Sequence, residues 1–420
     1  MNFKKILFIT FVIYTLLLTG CRSSVGGAAD STYNYVPSQP DRVREYPLET
    51  VSGKTAIDYF KTEKIFSGWN LGNTLDSHSG GVGSETIWGN PSVNQEIMNG
   101  VKKAGFDIIR IPVTWMGHFG MPQDYRISSA RLERVAEIVD MARKAGLKVI
   151  INIHHDGSTP SEGKDEGWLS MAKAIKPAEY EKITHQFARV WDQVAAYFKN
   201  YGDWLMFESM NEIHDGGWGW SYNFQTFPKF QTDIINKWNQ VFTDRVRAAG
   251  GNNTERFLII PAYCTQPQQT LSGSFVLPKD TTPGKQIVTF HYYDPNEFSI
   301  NGKRSAWGTD GDKQKVDSDF APFKRVFIDN NIPVIIGETG AVLQLHPNDK
   351  GVEAQARQSR INYFTSIFVT AKKYGLVPIY WDNGVTSGNG EKFGLFDRRT
   401  GQANSADSST LINIMINSVK

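Results

Sequence analysis

Glu212 and Glu338 each stand just past a short apolar run, Trp204–Phe207 for the first and Val334–Ile336 for the second. Two carboxyl groups brought to one place can break a glycosidic bond. One protonates the departing oxygen, and the other attacks the anomeric carbon or activates water. Such a pair works near neutral pH when its surroundings push the two pKa values apart. Arg110 is a cation able to keep one carboxylate ionised, and His291 and Tyr293 are donors able to orient it. Taken as residues alone, the two glutamates also fit capping or ion-pairing roles at strand ends. A metal centre is a further option, since His154, His155, Asp156 and His291 are ligand types. Adjacent strand residues face opposite sides, which makes neighbouring histidines an awkward ligand pair. No His-x-x-x-His helix spacing occurs, and no Gly-x-Ser-x-Gly elbow follows any strand.

These groups are far apart in the chain, so a scaffold must gather them. From about Val51 onward, short β-rich runs alternate with longer amphipathic stretches. The expected strands are Ile65–Leu71, Phe106–Ile111, Leu147–Ile153, Trp204–Phe207, Phe257–Ile260, Ile287–Phe290, Val334–Ile336 and Val377–Tyr380. Between them, a helix is expected from Ser92, with Gln95 completing a capping box and Gly105 as its stop. Ser128 or Ser129 should cap the next, whose apolar positions Leu132, Val135, Ala136, Val139 and Ala142 follow a 3.6-residue rhythm. Eight apolar strands alternating with helices predict an α/β fold, a closed (β/α)8 barrel in a single catalytic domain spanning 51–420. An open doubly wound sheet has similar spacing, but no Gly-rich phosphate loop follows any strand. In a barrel the catalytic groups sit at the C-terminal ends of the strands. Those ends carry Asn70, Arg110, His154 and His155, Asn211 and Glu212, His291 and Tyr293, Glu338, and Trp381.

Several segments match one family in order: Gly68-Trp69-Asn70-Leu71-Gly72-Asn73-Thr74-Leu75-Asp76, Arg110-Ile111-Pro112-Val113-Thr114-Trp115, Asn152-Ile153-His154-His155, Phe207-Glu208-Ser209-Met210-Asn211-Glu212, His291-Tyr292-Tyr293 and Gly337-Glu338. With these the chain resembles glycoside hydrolase family 5 of clan A, and within it the subfamily 4 bacterial endo-β-1,4-glucanases and xyloglucanases. The resemblance implies a retaining mechanism with Glu212 as acid/base and Glu338 as nucleophile. It implies that Asn211 bonds the sugar 2-hydroxyl and that Trp381 floors the site. Arg110, His154, His291 and Tyr293 complete the implied set, with His155 and Asn70 as further substrate contacts. No metal and no cofactor are implied. The implied substrate is a β-1,4-glucan of cellulose, xyloglucan or mixed-linkage type, with β-mannan as runner-up and a non-cutting glycan-binding barrel as the non-enzyme alternative. Ser209 stands where Gly is expected. Glu208 lies within its strand and is expected as a buried partner of Arg110 or a histidine.

Composition sets the surroundings. The 420 residues carry 45 basic and 43 acidic side chains, which gives no reason to expect nucleic acid as a partner. Lys4 and Lys5, an apolar run to Leu18 and then Leu18-Thr19-Gly20-Cys21 read as a lipoprotein signal peptide over 1–20, with Cys21 lipidated. Residues 21–50 read as a flexible tether, so the protein is expected outside the bacterial cytoplasm, touching a membrane only through this anchor, and as a monomer. Cys264 is then the only other cysteine, expected to be a packing residue. The loop after the fourth strand holds Trp218, Trp220, Tyr222 and Phe224 among Gly216, Gly217 and Gly219, aromatics suited to stacking on pyranose rings. Trp88, Trp115, Trp168 and Trp307 also fall in or near post-strand regions.

Overall fold

A computed structural model describes residues 46–344, 348–388 and 391–420. The expected signal peptide, Cys21 and most of the expected tether lie outside the described residues. Eight parallel strands close into a barrel: β1 (Gly68–Leu71), β2 (Ile108–Ile111), β3 (Lys148–Asn152), β4 (Leu205–Glu208), β5 (Leu258–Pro261), β6 (Gln286–Tyr292), β7 (Val334–Thr339) and β8 (Leu376–Asp382). Closure is made where β1 pairs with both β2 and β8, Gly68 facing Ile108 on one side and Ile379 on the other.

The connecting helices α1 (Gln95–Ala104), α2 (Ser129–Ala145), α3 (Pro177–Tyr197), α4 (Pro228–Ala248), α5 (Asp310–Val326), α6 (Lys350–Tyr374) and α7 (Ala406–Val419) surround it. Between β5 and β6 the alternation is interrupted, with only the short helical turns Tyr263–Thr265 and Pro267–Thr270 after β5. The helix α1 starts at Gln95 rather than Ser92, because the Asn94 side chain is the cap and accepts from the Ile97 amide. Gly105 and Gly146 close α1 and α2 in the left-handed conformation, at φ +110° and +86°.

A period of two sorts each strand between two cores. Ile109 and Ile111, Val149 and Ile151, and Leu205 and Phe207 face the helices in the large outer cluster. Their neighbours Ile108, Ile150 and Met206 join Ile259, Ile287, Ile335, Val377 and Ile379 in a separate cluster inside the barrel. Ala56, Tyr59, Phe60 and Ile65 belong to that inner cluster. Ile65 and Phe106 are buried without being paired, which is why β1 and β2 begin later than their apolar runs. Two residues beyond the inner apolar layer, the same faces carry Asn70, Arg110, Asn152 and Glu208, all buried. The apolar layer thus supports a polar one at the C-terminal end of the barrel.

The expected tether reached to residue 50, but the chain is held to the domain from Tyr46. The Tyr46 ring stacks on Tyr201 at 4.2 Å. Glu49 donates its amide to the Asn200 carbonyl at 2.9 Å. Its carboxylate accepts from the Gly202 amide at 2.6 Å and the Trp204 indole at 2.5 Å.

Candidate active site

Glu338 reaches the barrel interior only because β7 is irregular. Ile335 points inward, so strict alternation would put Gly337 inside and Glu338 outside. The register with β6 jumps from Phe290–Ile336 to His291–Glu338, and the register with β8 jumps from Pro378–Ile336 to Tyr380–Thr339. Both shifts place one extra residue in β7, a bulge that re-aims the carboxylate. Gly337 is the residue that permits it. A Cβ there would lie 2.7 Å from Thr289 Oγ1 and 3.0 Å from His291 Nε2. Gly337→Ala should destabilise the fold by about 1–3 kcal/mol through overpacking, and shifting His291 should lower kcat as well; chemical unfolding and turnover on one preparation check both.

The buried guanidinium of Arg110 organises the polar layer. Its Nε donates to Glu208 Oε2 at 2.7 Å, and Nη1 donates to Glu338 Oε1 at 2.8 Å and to Asn70 Oδ1 at 3.0 Å. Nη2 donates to Asn211 Oδ1 at 2.8 Å. That bond fixes the Asn211 amide and leaves its NH2 without a protein partner among the described residues. Glu208 is the buried ion-pair partner of Arg110. Asn70 has a different role from the expected substrate contact. It is fully buried, and its NH2 donates to the carbonyls of Gly337 at 2.9 Å and Tyr380 at 3.3 Å. With its oxygen on Arg110, every polar atom is engaged inside the protein, so Asn70 supports the bulge and the guanidinium.

Glu212 and Glu338 face each other across His291. The His291 Nδ1 atom is 2.6 Å from Glu212 Oε1 and 3.7 Å from Glu338 Oε2, and one ligand atom of each of the three residues lies within 4.8 Å of the others. The Tyr293 hydroxyl donates to Glu338 Oε2 at 3.0 Å. Among the described residues, buried His291 Nε2 has no hydrogen-bond partner, which favours the tautomer with its proton on Nδ1, donated to Glu212. Burial pushes the Glu212 carboxyl up to about 7; Arg110 pulls it back and the Glu208 charge adds to the rise. Burial raises Glu338 too, against His291 and Arg110. Glu338 alone of the pair holds a guanidinium and a phenol hydroxyl, so it is the group that ionises first. Burial lowers His291 to about 4, so this ring is neutral near pH 7.

The walls follow from strand ends and loops. Trp381 stacks parallel to His154 at 5.7 Å, with Val342 and Phe393 packed on it. A Cβ at Gly72 would lie 2.8 Å from Trp381 Cζ2, so only glycine lets the backbone pass this ring. The strand β3 ends at Asn152, so alternation does not separate the two histidines that follow. The rings of His154 and His155 meet at 4.4 Å, and both offer nitrogens within 4.8 Å of an Asp76 oxygen. Each Asp76 oxygen already accepts a backbone amide, from Thr74 at 2.6 Å and from Asn73 at 3.0 Å. Partly exposed His155 also packs against Trp88.

Other aromatics expected near the cleft are structural. Trp115 is buried with its indole on the Asn152 carbonyl, Trp307 packs on Tyr363, and Phe224 stacks on Tyr263 at 4.1 Å. Trp88, Trp218 and Trp220 stay exposed, and Trp168 is half-buried. The Tyr222 side chain lies outside the described ones. Cys264 is buried, and its surroundings push the thiol well above its ordinary pKa.

Sequence reasoning assigned no role to Asn152. It donates to Glu208 Oε2 at 2.8 Å, sits 3.2 Å from His154 Nδ1, and accepts from the Val113 amide at 3.1 Å. A polar residue closing the apolar run Val149–Ile151 was its visible signal. Ser209 uses its hydroxyl on Asn239 of α4 at 2.5 Å.

The family model for Cellulase (glycosyl hydrolase family 5) matches residues 74–387. Endoglucanase A of Paenibacillus barcinonensis is 35% identical over 358 residues, covering 80% of this chain and 84% of that protein. The xyloglucan-specific endo-beta-1,4-glucanase BoGH5A of Bacteroides ovatus is 36% identical over 371 residues, covering 82% and 68%. A solved GH5-4 broad specificity endoglucanase from Bacteroides salanitronis superposes with a TM-score of 0.79 at 38% identity, covering 90% of this chain and 98% of that one. A closed eight-stranded barrel with paired glutamates at its C-terminal end, matched over most of its length to these enzymes, makes the chain a member of glycoside hydrolase family 5.

Proposed function

We propose that the protein is a retaining endo-β-1,4-glucanase in which Glu338 is the nucleophile and Glu212 the acid/base. One observation carries this assignment: an oxygen of each carboxyl group lies within 4.8 Å of the other, an approach that suits the short separation of a retaining pair, and only one of the two is bound to Arg110. Glu338 attacks the anomeric carbon while Glu212 gives its proton to the leaving oxygen. Glu212, now ionised, takes a proton from water, and that water's oxygen displaces Glu338. His291 holds Glu212 at the required angle through both steps. Tyr293 and Arg110 bear on the nucleophile's charge. The free NH2 of Asn211 suits a sugar hydroxyl, and Trp381 suits the face of the sugar under attack.

The substrate class follows the relatives named above, an endoglucanase, a xyloglucan-specific enzyme and a broad-specificity endoglucanase. Cellulose-type, xyloglucan and mixed-linkage chains are all within this assignment, and mannan is not favoured. The enzyme works outside the cytoplasm, held to a membrane by lipid on Cys21. The charged start, the apolar run and Leu18-Thr19-Gly20-Cys21 support this placement.

Reducing-end release from carboxymethyl cellulose, xyloglucan, mixed-linkage β-glucan and β-mannan tests the assignment. A rapid fall in viscosity on at least one glucan is expected, and no release from any of the three glucans would overturn it. The pH profile has a defined sign. Activity requires Glu212 protonated, so kcat/KM should fall as pH rises through about 7. It requires Glu338 ionised, so activity should also fall towards acid, giving a bell. An alkaline limb that persists unchanged in Glu212→Gln, followed on a substrate with an activated leaving group, would remove Glu212 as its source.

A further inference from the structure

The chain leaving β6 serves two faces. Tyr293 turns its hydroxyl to Glu338, while its neighbours Tyr292 and Asp294 line a hollow of about 460 Å³ that the two-carboxylate mechanism does not use. This hollow runs along the first turns of α5, at Asp312 and Lys315. A second hollow, of about 580 Å³, lies against the first half of α6. The two share Arg304 and Trp307 as a common wall. Each has the size of a small-molecule site, about 300–1,000 Å³.

The shared wall carries a polar group that the fold does not use. Trp307 is only 4% exposed, yet its indole N–H has no hydrogen-bond partner among the described residues. Its ring is fixed against Tyr363 at 5.2 Å, and its main-chain amide donates to Ser359 Oγ at 3.0 Å. The donor is therefore held in place before any ligand arrives. Across the first hollow, the Asp294 carboxyl also makes no hydrogen bond or ion pair among the described residues. Burial raises its pKa, and the Asp319 charge adds to the rise. A fixed donor and an unpaired acceptor lining one hollow call for a ligand that offers both.

The lining selects the ligand class. Both cations are spent within the protein, Arg304 on Asp312 at 2.7 Å and Lys315 on Asp319 at 2.6 Å, so an anion meets no free charge. The second hollow offers the amides and hydroxyls of Gln355, Gln358, Ser359 and Asn362 and no carboxylate, a poor set for a divalent cation. The side-chain amides of Gln268 in the first hollow and Gln355 in the second make no hydrogen bonds among the described residues. Neutral amides, hydroxyls and an indole donor match a neutral chain dense in hydroxyl groups. We propose that the two hollows form a second glycan site, which holds a neutral β-1,4-glucan chain by hydrogen bonds while another stretch of the polymer is cut in the cleft. A second contact of this kind keeps the enzyme on its polymer by raising the effective concentration of uncut chain. This rests on the glucanase reading.

The triple variant Gln268→Ala, Gln355→Ala, Gln358→Ala tests it. All three side chains are exposed, and two of them stand on α6, where alanine is a strong helix former, so the fold should be kept. In the non-cutting Glu338→Gln background, native electrophoresis through gels holding xyloglucan or mixed-linkage β-glucan reads affinity for the polymer. The expected result is a loss of about three- to tenfold, the effect of a lost neutral hydrogen bond. With Glu338 in place, the variant should hydrolyse an aryl β-cellobioside, short enough to occupy the cleft alone, at the wild-type rate. Unchanged polymer affinity would overturn the proposal. An equal loss on the aryl β-cellobioside would also overturn it, because the effect would then lie in the cleft. Wild-type protein that cleaves no glucan would instead overturn the glucanase assignment.

Discussion

Glu338→Gln should abolish glucan hydrolysis, lowering kcat by about 10^4- to 10^6-fold, the range seen when a covalent nucleophile is removed. Glutamine is close to isosteric, and its carbonyl oxygen can still accept from Arg110 Nη1 at the 2.8 Å position. The fold should therefore stay intact, and cello-oligosaccharide binding should persist in calorimetry while turnover is lost. Glu338→Ala offers a complementary test. Azide entering the vacated space should restore turnover of an activated β-cellobioside and yield the α-glycosyl azide, because the anion attacks from the nucleophile's side. Wild-type rates in Glu338→Gln would end its assignment.

Arg110→Met is expected to have the largest effect on stability. Arg110 is fully buried and binds two carboxylates, Glu208 and Glu338, together with the amides of Asn70 and Asn211. Methionine fills much of the volume but leaves Glu208 charged or protonated with no counter-ion. Removing one member of a buried pair costs about 3–5 kcal/mol, so the denaturant midpoint should fall markedly. The catalytic consequence has a sign as well. Arg110 lowers the pKa of Glu338, so its loss moves that pKa upward and shifts the acid limb of the pH profile towards neutrality. Glu208→Gln in the same background should recover part of the lost stability, since neighbours in one network are not additive. A loss under about 1 kcal/mol would mean that the network is not held by this guanidinium.

Much of this architecture was legible because barrel strands are short apolar runs with polar residues at one end. Arg110, Glu212, His291 and Glu338 could be placed at the same end by counting strands alone. Individual orientations were harder to read. Period-two alternation from Ile335 would have turned Glu338 outward, and the bulge that reverses it shows in sequence only as a glycine. Asn70 sits in a matching motif at a strand end, yet its inward position and the nearness of Arg110 make it an internal support. His154 and His155 escaped the alternation rule because pairing stops at Asn152. Trp115 and Trp307 follow strands as Trp88 and Trp218 do, but burial depends on how loops fold back, which local sequence does not encode. The three glycines around Trp218 were the visible sign that its backbone would be unusual.

Double displacement at Glu338 leaves one direct signature. Proton NMR during the first minutes of cellotetraose or xyloglucan-oligosaccharide cleavage, faster than mutarotation, reads the configuration of the newly formed reducing end. Retention through a glycosyl-Glu338 intermediate requires the β-anomer to appear first, with the α-anomer growing only as mutarotation proceeds. The α-anomer appearing first would mean direct attack by water, and would contradict both the covalent role of Glu338 and the pairing of the two carboxylates described here.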